Sequence, residues 1–459
     1  IKFDFILGNP PWKRGSNKNA LFLKYIEKRR EEESSKAIGK PLPTISNNEI
    51  AQAFLLRTSD FSGDRTRCAL IITSKILYNL NAVDFRRYFL HNYFVDKVFE
   101  LAPVRREVFD KSNDPAVAPA AILFFRYAHG KATDKNVIEH ITLKPNRFFS
   151  LFKVFVLQRN DYKQVVQSRL VEYDWLWKTL VYGSYLDFNF IKRLEKDYKT
   201  IGDIIYNKNE FLVKQGLKRK DGENKINVEE LTGWEYLDLN ENKQIEPFFI
   251  YPQLKKWPKE DKYVGYIYRK DKKIVKEVFT PPVLLLKETV TTELKSVPAI
   301  SLDRKILFTD KITSIKATGD TDIRSYYEIA GLLYSSLFSY FILIKSSTAG
   351  IMIEQQVNDV EKFGFPYLKN YNIARYVEKL EGIIKTLFDE KQKTLSAKIQ
   401  TLEREKKNLI NKLNEEILNS FNLNEQERAL VNYAVDITIP LVMRHSGYEK
   451  ELFSPLRIE

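Results

Sequence analysis

Residues 8–12 of the sequence, Gly-Asn-Pro-Pro-Trp, combine side-chain types that suit chemistry on the exocyclic amine of a nucleobase. The lone pair of such an amine is delocalised into the ring, so the nitrogen is a poor nucleophile. Two acceptors that bind both of its N–H groups favour a more tetrahedral nitrogen with a free lone pair. The side-chain oxygen of Asn9 and the carbonyl of Pro10 are acceptors of this kind, and the neutral amide adds no charge.

The neighbours of Asn9 give these acceptors a fixed position. Pro10 and Pro11 stiffen the backbone, so the acceptors are in place before a base arrives. Trp12 offers an aromatic face for stacking on a base that has left the duplex. The alternative is an ordinary turn that contains two prolines, with Trp12 as a packing residue. A strand pattern before the loop and further matches after it favour the first interpretation.

Strand and helix patterns alternate along residues 1–145. The predicted strands cover residues 3–7, 68–73, 94–101 and 120–128. The predicted helices cover residues 48–61 and 81–92. Such alternation indicates an α/β fold with a largely parallel sheet that is covered on both faces, and we therefore expect residues 3–7 to be buried.

The pattern changes twice beyond residue 145. Residues 146–199 are predicted to form a helical connector, and residues 200–370 a mixed α+β domain of short strands and Lys-rich turns. Residues 371–459 are predicted to form a helical C-terminal segment. Within it, residues 371–421 carry apolar residues in steps of three and four, which indicates long amphipathic helices and favours an antiparallel pair.

The bulk composition narrows the classes of function. The 459 residues carry a formal net charge of +14, which favours a polyanionic partner such as nucleic acid, although a Lys-rich protein without such a partner is the plain alternative. A single cysteine excludes an internal disulfide and a Cys-based zinc site, and four scattered histidines argue against a metal cluster. No apolar stretch reaches the roughly 18 residues that span a membrane, so a cytoplasmic protein is expected.

Several segments together resemble one family. "DFILGNPPW" resembles the catalytic motif IV of gamma-order N6-adenine DNA methyltransferases, most closely those of large type IIG restriction–modification enzymes. "NNEIAQAFLLRTSDF", "RTRCALIITSKIL", "FRRYFLHNYFVDKVFEL" and "REVFDKSNDPAVAPAAILFFR" follow in the order of the family's later motifs. Looser matches continue through residues 200–370, where the family has its target-recognition domain.

The resemblance implies a fold, an activity and a set of site residues. The fold would be the C-terminal half of a Rossmann-like methyltransferase sheet, followed by a target-recognition domain and a helical tail. The activity would be site-specific adenine-N6 methylation of double-stranded DNA with S-adenosylmethionine. The catalytic residues would be Asn9, Pro10, Pro11 and Trp12, and Phe109 would stack on the other side of the flipped base. A core aromatic is the alternative role for Phe109.

One feature of the family is missing from the sequence. The family binds S-adenosylmethionine with a Phe-x-Gly-x-Gly type of loop and an acidic residue at the end of the next strand, and no such loop occurs here. Only Asn9 and Pro10 remain as cofactor contacts. We therefore expect a C-terminal fragment whose cofactor-binding half lies upstream or in a partner chain, and which is inactive alone.

Candidate DNA contacts lie in the second half of the chain. The residues that could bind phosphates are Lys214, Lys218, Arg219, Lys220, Lys255 and Lys256. Trp257 beside the last pair suits local stacking, and Gln355 and Gln356 are residue types that read adenine edges. Ordinary solvated loops are the alternative for any single lysine.

Two other functions stay open. Asn-Pro-Pro-Tyr also occurs in methyltransferases that modify a protein glutamine at N5, but those are compact and lack a large basic second half. A non-catalytic DNA-binding specificity subunit with a decayed methyltransferase half is the other, and the intact Asn9–Trp12 segment counts against decay.

Overall fold

A computed structural model gives the structure of the chain. It describes residues 1–15, 20–35, 45, 48–108, 119–145, 152, 154–203, 211–219, 233–237, 244–257, 266–267, 276–319, 322–348, 354–364, 371–392 and 398–443. The described residues divide into two compact units, Ile1–Phe188 and Asn189–Met443, and the division falls within one helix. Phe109 and Lys220 lie outside the described residues.

The first unit is built around a six-stranded sheet. Its strands are β1 (Phe3–Gly8), β2 (Ser62–Thr73), β3 (Tyr93–Glu100), β4 (Ala120–Tyr127), β5 (Val137–Thr142) and β6 (Tyr162–Val166). Its helices are α1 (Ala20–Ser35), α2 (Ile50–Phe61), α3 (Lys75–Tyr78), α4 (Val83–Asn92), α5 (Arg105–Val108), α6 (Gln167–Glu172), α7 (Leu176–Tyr182) and α8 (Tyr185–Asp197). The prediction of an α/β fold is confirmed, and β6 lies in the segment that was predicted to be a helical connector.

The sheet is mixed, with the strand order β1-β2-β4-β3-β5-β6. β1 is parallel to β2, and β3 is parallel to β5. β4 is antiparallel to both β2 and β3, so β1, β2, β3 and β5 share one direction. The prediction of a largely parallel sheet is therefore wrong for β4 and for the edge strand β6. A parallel β4 would need a long crossover after β3, and the described part of that connection contains only short helical turns.

β1 is an edge strand with exposed apolar side chains. The exposed fractions of Phe3, Phe5 and Leu7 are 49%, 70% and 75%. β1 pairs with β2 on one side, and no other strand pairs with it among the residues that the structure describes. The prediction that this strand is buried is wrong for the chain by itself, because the described residues leave the face that carries these three side chains largely uncovered.

The second unit combines short strands with helices. Its strands are β7 (Phe211–Gln215), β8 (Lys218–Arg219), β9 (Glu235–Tyr236), β10 (Ile245–Glu246), β11 (Phe249–Ile250), β12 (Lys255–Lys256), β13 (Tyr266–Ile267), β14 (Val283–Lys287), β15 (Pro298–Ser301), β16 (Ile306–Leu307) and β17 (Ile312–Ala317). Its helices after α8 are α9 (Ile323–Tyr334), α10 (Ser336–Lys345), α11 (Val357–Glu361), α12 (Tyr371–Lys391), α13 (Lys398–Ser420), α14 (Glu425–Tyr433) and α15 (Ile439–Val442). The largest sheet of the unit has the antiparallel order β15-β14-β17-β7.

The long helices α12 and α13 form the predicted antiparallel pair. A Cβ on Gly331 of α9 would lie 2.9 Å from Ile373 and Val377, near the start of α12, and 3.3 Å from Leu413, near the end of α13. The start of α12 and the end of α13 therefore both lie beside Gly331 of α9, as an antiparallel pair requires. A side chain at Gly331 would force these helices apart, so glycine permits the close approach.

Among the longer described helices, α9 and α10 are the most apolar, and most of their residues are buried in the second unit. Within the described ranges, no single helix has the length and apolar character to cross a membrane. α9 and α10 satisfy both criteria only as a pair, and they are bent by 56° at the break between them.

Candidate active site

The loop of residues 9–15 follows β1 at the carboxyl edge of the parallel strands. β1 approaches β2 closely at Gly8, where a Cβ would lie 3.1 Å from Leu70 Cδ2. Beyond Gly8, Asn9 and Pro11 are exposed, whereas Pro10 is buried and Trp12 is half-buried. The strand therefore presents the Asn9 amide to solvent, as a residue that receives a ligand requires.

The indole of Trp12 fixes one side of this loop. Its Nε1 donates a hydrogen bond to the carbonyl of Ile71 in β2 at 3.3 Å. The ring packs against a buried cluster formed by Leu101, Val104, Ala120 and Leu143, which follow β3, begin β4 and follow β5. Since Trp12 is only half-buried, anchoring and partial exposure coexist in one side chain, and stacking on a base stays a prediction.

The far side of the loop is held by the residues that begin α2. The amide of Gly15 donates to the carbonyl of Asn48 at 2.7 Å, and the amide of Ile50 donates to the carbonyl of Lys13 at 3.2 Å. Between these two bonds, the backbones of Arg14 and Glu49 face each other in an isolated antiparallel β-bridge. The loop is thus tied both to β2 and to α2, so its position does not depend on the prolines alone.

The two acceptors proposed for an amine stay available in this arrangement. Within the described part of the chain, no hydrogen bond involves the side chain of Asn9 or the carbonyl of Pro10. The bonds that fix the loop involve Trp12, Lys13 and Gly15 instead. The structure therefore fixes the loop without using the acceptors.

Glu100 lies at the same edge of the sheet and was not singled out from the sequence. It ends β3 and is fully buried. Its Oε1 accepts from Ser74 Oγ at 2.6 Å and from the amide of Ala102 at 2.9 Å, and its Oε2 accepts from the hydroxyl of Tyr78. Burial raises the pKa of Glu100 to about 7, and the three hydrogen bonds oppose that rise. An acidic residue at the end of an apolar strand was the signal in the sequence.

Glu49 is a second carboxylate beside the loop. It is half-buried and accepts from Gln52 Nε2 at 3.1 Å. Burial raises the pKa of Glu49, while Gln52, Lys75 and Arg14 favour the ionised form. Sequence reasoning missed Glu49 because a Glu at the start of a helix is common for helix stability alone.

The predicted stacking partner Phe109 cannot be placed, since it lies outside the described residues. The residue before it, Val108, is half-buried against the cluster that supports Trp12. Val108 therefore packs against the same cluster as Trp12. The role of Phe109 stays a prediction.

The predicted phosphate contacts that the structure describes lie on three short strands of the second unit. Lys255 and Lys256 are exposed on β12, and Lys214 is half-buried on β7. Lys218 and Arg219 form β8, and Lys220 lies outside the described residues. These lysines and the arginine remain candidates for phosphate contacts.

The prediction that Gln355 reads an adenine edge is contradicted by the structure. Its side chain is 2% exposed, its Oε1 accepts from Ser296 Oγ at 2.6 Å, and its Nε2 donates to the carbonyl of Lys287 at 2.8 Å. Both ends of the amide are therefore used inside the protein. Gln356 is half-buried, its backbone amide donates to Asp359 at the start of α11, and its role stays a prediction.

Trp257 does not offer a face for stacking on nucleic acid. It is 6% exposed and packs edge-on against Tyr236 with a centroid distance of 5.6 Å. Sequence reasoning placed it beside lysines, but the residue that follows β12 is buried although both lysines of β12 are exposed. Among the described residues no group of three His, Cys, Asp or Glu side chains is arranged to hold a metal ion.

Comparison with known proteins finds a family match for the first part of the chain. Residues 1–109 match the model of the Eco57I restriction-modification methylase family. No curated protein matches the sequence.

Solved structures of restriction–modification enzymes are similar over most of the chain. The type IIG restriction endonuclease BpuSI shares 12% identity and a TM-score of 0.34, over 89% of this chain and 53% of its own. The type IIL enzyme MmeI, solved in complex with DNA, shares 12% identity and a TM-score of 0.47, over 95% of this chain and 57% of its own. The type ISP enzyme LlaGI shares 11% identity and a TM-score of 0.43, over 82% of this chain and 35% of its own.

The chain spans a little over half the length of BpuSI and MmeI, and similarities of this size carry no argument about activity. The family match rests instead on the segment that contains β1, the Asn9–Trp12 loop and the strands β2 and β3. Residues 1–109 are similar to the methylase domain of the Eco57I restriction–modification family, in agreement with the family-level prediction.

Proposed function

We propose that this chain is the catalytic and DNA-recognition part of a site-specific DNA methyltransferase that modifies adenine at N6. One observation carries the proposal. The Asn9 amide and the Pro10 carbonyl have no partner within the described residues, on a loop that is tied to both β2 and α2 in a methylase-family domain. Such an arrangement suits a group that must receive an amine without rearranging first.

The loop would orient the amine by accepting hydrogen bonds from both of its N–H groups. Asn9 Oδ1 accepts one N–H of the extruded adenine and the Pro10 carbonyl accepts the other, so the nitrogen lone pair turns towards the methyl donor. Trp12 stacks on the base, while its bond to Ile71 and its packing on Leu101 keep the indole in place. Because the Asn9 amide is neutral, it accepts the N–H group without adding a negative charge beside the methyl donor.

The methyl donor is S-adenosylmethionine in this proposal, and it supplies an electrophilic methyl group. The residues of this chain would contact only part of the cofactor. Asn9 and Pro10 lie at the edge where the donor would meet the amine, but the sequence has no glycine-rich turn for the rest of the cofactor. The cofactor-binding strands must therefore come from elsewhere, either in the same polypeptide or in a partner chain.

The open edge of β1 is the place where those strands would pair. Phe3, Phe5 and Leu7 are exposed there, and the second edge of β1 pairs with no strand among the described residues. Unpaired edge strands with apolar side chains favour association. Pairing would extend the sheet, and the unit that carries those strands would cover the exposed side chains and place a cofactor site beside Asn9.

The second unit is proposed to bind double-stranded DNA and to select the site, as the modification and specificity part of a type IIG-like enzyme. The net charge of +14 and the exposed Lys255 and Lys256 support a phosphate-binding surface. These features suit affinity rather than sequence choice, because contacts to phosphates carry no base information.

Product analysis tests the proposed reaction. The enzyme that includes the cofactor-binding strands is incubated with mixed-sequence DNA and labelled cofactor, and the nucleosides are then separated by mass spectrometry. N6-methyladenine is expected. Methylated cytosine, or label in protein glutamine instead of DNA, would contradict the adenine assignment.

This chain alone provides the second test. It is expected to bind duplex DNA, with an affinity that falls steeply as salt rises, and to transfer no methyl group. Calorimetry should show no tight binding of S-adenosylmethionine. Tight cofactor binding or turnover by these 459 residues would refute the inference that the cofactor site lies outside them.

A further inference from the structure

We propose that Glu100 is a positioning residue for the loop of residues 9–15, because its hydrogen bonds fix the residues against which Trp12 packs. The inference deepens the proposed function and rests on it. Glu100 is not a catalytic residue in this proposal, since it is fully buried and touches neither the base nor the cofactor. It acts through the elements that end at the edge of the sheet.

Three elements meet at the carboxyl of Glu100. Ser74 follows β2, Tyr78 belongs to α3, and Ala102 begins the turn after β3, and each donates a hydrogen bond to the carboxyl. Ser74 and Ala102 are fully buried as well. A buried carboxyl with three donors ties these elements into one rigid unit, because each broken bond would leave a polar group unsatisfied.

The residues that support Trp12 belong to the same unit. Leu101 and Val104 pack with the indole, and they lie on either side of Ala102, whose amide is bound by Glu100. Trp12 Nε1 bonds to Ile71, three residues before Ser74 in the chain. Releasing the carboxyl would therefore loosen both contacts of the indole.

A second link runs through the residue after Ser74. The ammonium of Lys75 favours the ionised form of the Glu49 side chain, and the backbone of Glu49 forms a β-bridge with that of Arg14 at the far end of the loop. Movement of the turn between β2 and α3 would thus reach the loop from both sides. Direct contact between Glu100 and Asn9 is not needed for this coupling.

The carboxyl changes its charge in the physiological range. Burial raises the pKa of Glu100 to about 7 from an ordinary value of 4.5. The titratable groups that face it are Tyr78 of α3 and Tyr182 of α7, and Arg105 of α5 favours the ionised form of Tyr182. Burial raises the pKa of both tyrosines, so the carboxyl is the group that ionises near neutral pH.

The sign of the pH effect follows from linkage. A carboxyl whose pKa is raised in the folded state contributes stability that is present at low pH and is lost as pH rises through about 7. Openings that expose Glu100 should therefore become about tenfold more frequent between pH 6 and pH 8. The loop of residues 9–15 should report these openings, because its anchors depend on the same carboxyl.

Hydrogen exchange tests the coupling without any catalytic activity. The exchange of the Gly15 amide, which is bonded to Asn48, is measured by mass spectrometry at pH 6 and pH 8 and corrected for intrinsic rates. In the unsubstituted chain it should rise about tenfold between the two pH values, whereas Glu100→Gln should remove this rise. Glu139→Gln is the matched control, since Glu139 lies on β5 with Lys97 at 3.0 Å and should keep the rise.

Two results would overturn the inference. One is a normal pH-dependent rise in Glu100→Gln, and the other is an equal rise in exchange throughout β3, β4 and β5, which would mean a purely global effect on stability. If Glu100→Gln does not fold, Ser74→Ala removes one donor and keeps the carboxyl. The loop should then exchange about tenfold faster at pH 6, the effect of one lost hydrogen bond to a buried carboxyl, and unchanged exchange would refute the link.

Activity of the enzyme with its cofactor-binding strands separates this inference from the proposed function. The pH profile of kcat should change near pH 7 and should lose that step in Glu100→Gln, with DNA affinity unchanged. If no methylation occurs with any variant, the proposed function fails, and the exchange measurement still decides the role of Glu100. If methylation occurs and the step near pH 7 persists in Glu100→Gln, the role of Glu100 is refuted.

Discussion

Two segments of the chain place a Pro-Pro pair beside a β-strand, and the protein uses their backbone acceptors in opposite ways. In the second unit, Pro281 and Pro282 precede β14. The ammonium of Lys316 donates to the carbonyls of Thr280, Pro281 and Pro282 at 3.1, 3.1 and 3.0 Å. The hydroxyl of Tyr326 also donates to Pro282 at 3.2 Å. The acceptors of this turn are therefore consumed by the fold.

In the first unit, Pro10 and Pro11 follow β1, and the fold leaves the acceptors alone. The loop is fixed through Trp12 and through the backbone of Lys13 and Gly15. The Asn9 amide and the Pro10 carbonyl keep their lone pairs for a ligand, within the part of the chain described here. The comparison teaches that a Pro-Pro turn becomes a candidate site only when something other than its own acceptors holds it in place.

The largest expected effect is on Asn9. Asn9→Ala should lower the rate of methyl transfer by about a hundredfold or more, since it removes one preorganised acceptor for the amine. Thr280→Ala is the matched control, because Thr280 precedes the other Pro-Pro pair, and it should leave the rate within about twofold. DNA affinity should change little in both variants, since phosphate contacts dominate it. Near-normal turnover of Asn9→Ala would end the catalytic assignment.

The next effect concerns Trp12. Trp12→Ala should lose the stacking of the extruded base, about 1–3 kcal/mol, and with it about 5- to 150-fold in methyl transfer. Trp12→Phe keeps an aromatic face and loses the Nε1 bond to Ile71, so most activity should remain. Fluorescence of 2-aminopurine at the target base would report the stacking directly. Equal losses in the two variants would show that Trp12 is only a packing residue.

The site in the first unit was predictable because its signal is a contiguous motif. Asn9, Pro10, Pro11 and Trp12 are adjacent in sequence, and the preceding strand sets their place at the sheet edge. Glu100 could not be found in this way, because its partners Ser74 and Tyr78 are about 25 residues away in the chain and meet it only through strand pairing.

The α/β class of the first unit was predictable from the sequence, whereas the relative direction of neighbouring strands was less predictable. Apolar alternation located β2, β3 and β4, but a strand pattern does not encode whether its neighbour is parallel. In the second unit, residue type alone suggested Gln355 as a base reader. Its amide is used by Ser296 and Lys287 instead, and this follows only from the packing of distant segments.

The turn at Pro281 and Pro282 gives a stability prediction. Lys316→Met should remove the donor for three carbonyls and lower the free energy of unfolding by about 1–3 kcal/mol, because the carbonyls lose a charged partner. Lys311→Met is the control in the loop before β17, since its contact with Glu288 is more exposed, and it should cost less than about 1 kcal/mol. Thermal denaturation measures both variants. Equal stability of Lys316→Met and the unsubstituted chain would show that the turn does not depend on its ammonium.

The smallest expected effect concerns DNA binding by the second unit. Lys255 and Lys256 form β12, which pairs with β9, and the amide of the next residue, Trp257, donates to the carbonyl of Trp234 at 2.6 Å. Buried Trp257 therefore fixes a short strand whose two lysines both point to solvent. Lys316 differs from this pair, because its ammonium is bound by three carbonyls of the fold, whereas Lys255 and Lys256 are exposed at the surface, where a phosphate can reach them.

The double variant Lys255→Gln/Lys256→Gln tests that role through salt dependence. Each lost phosphate contact should lower the slope of log affinity against log salt by about 1, with a loss of affinity of about three- to tenfold at moderate salt. Lys407→Gln/Lys412→Gln removes the same charge from exposed positions of α13 and should leave the slope unchanged. Fluorescence anisotropy with a duplex at several salt concentrations gives both slopes. Equal reductions in the two double variants would mean that only net charge matters, and β12 would then have no specific part in holding DNA.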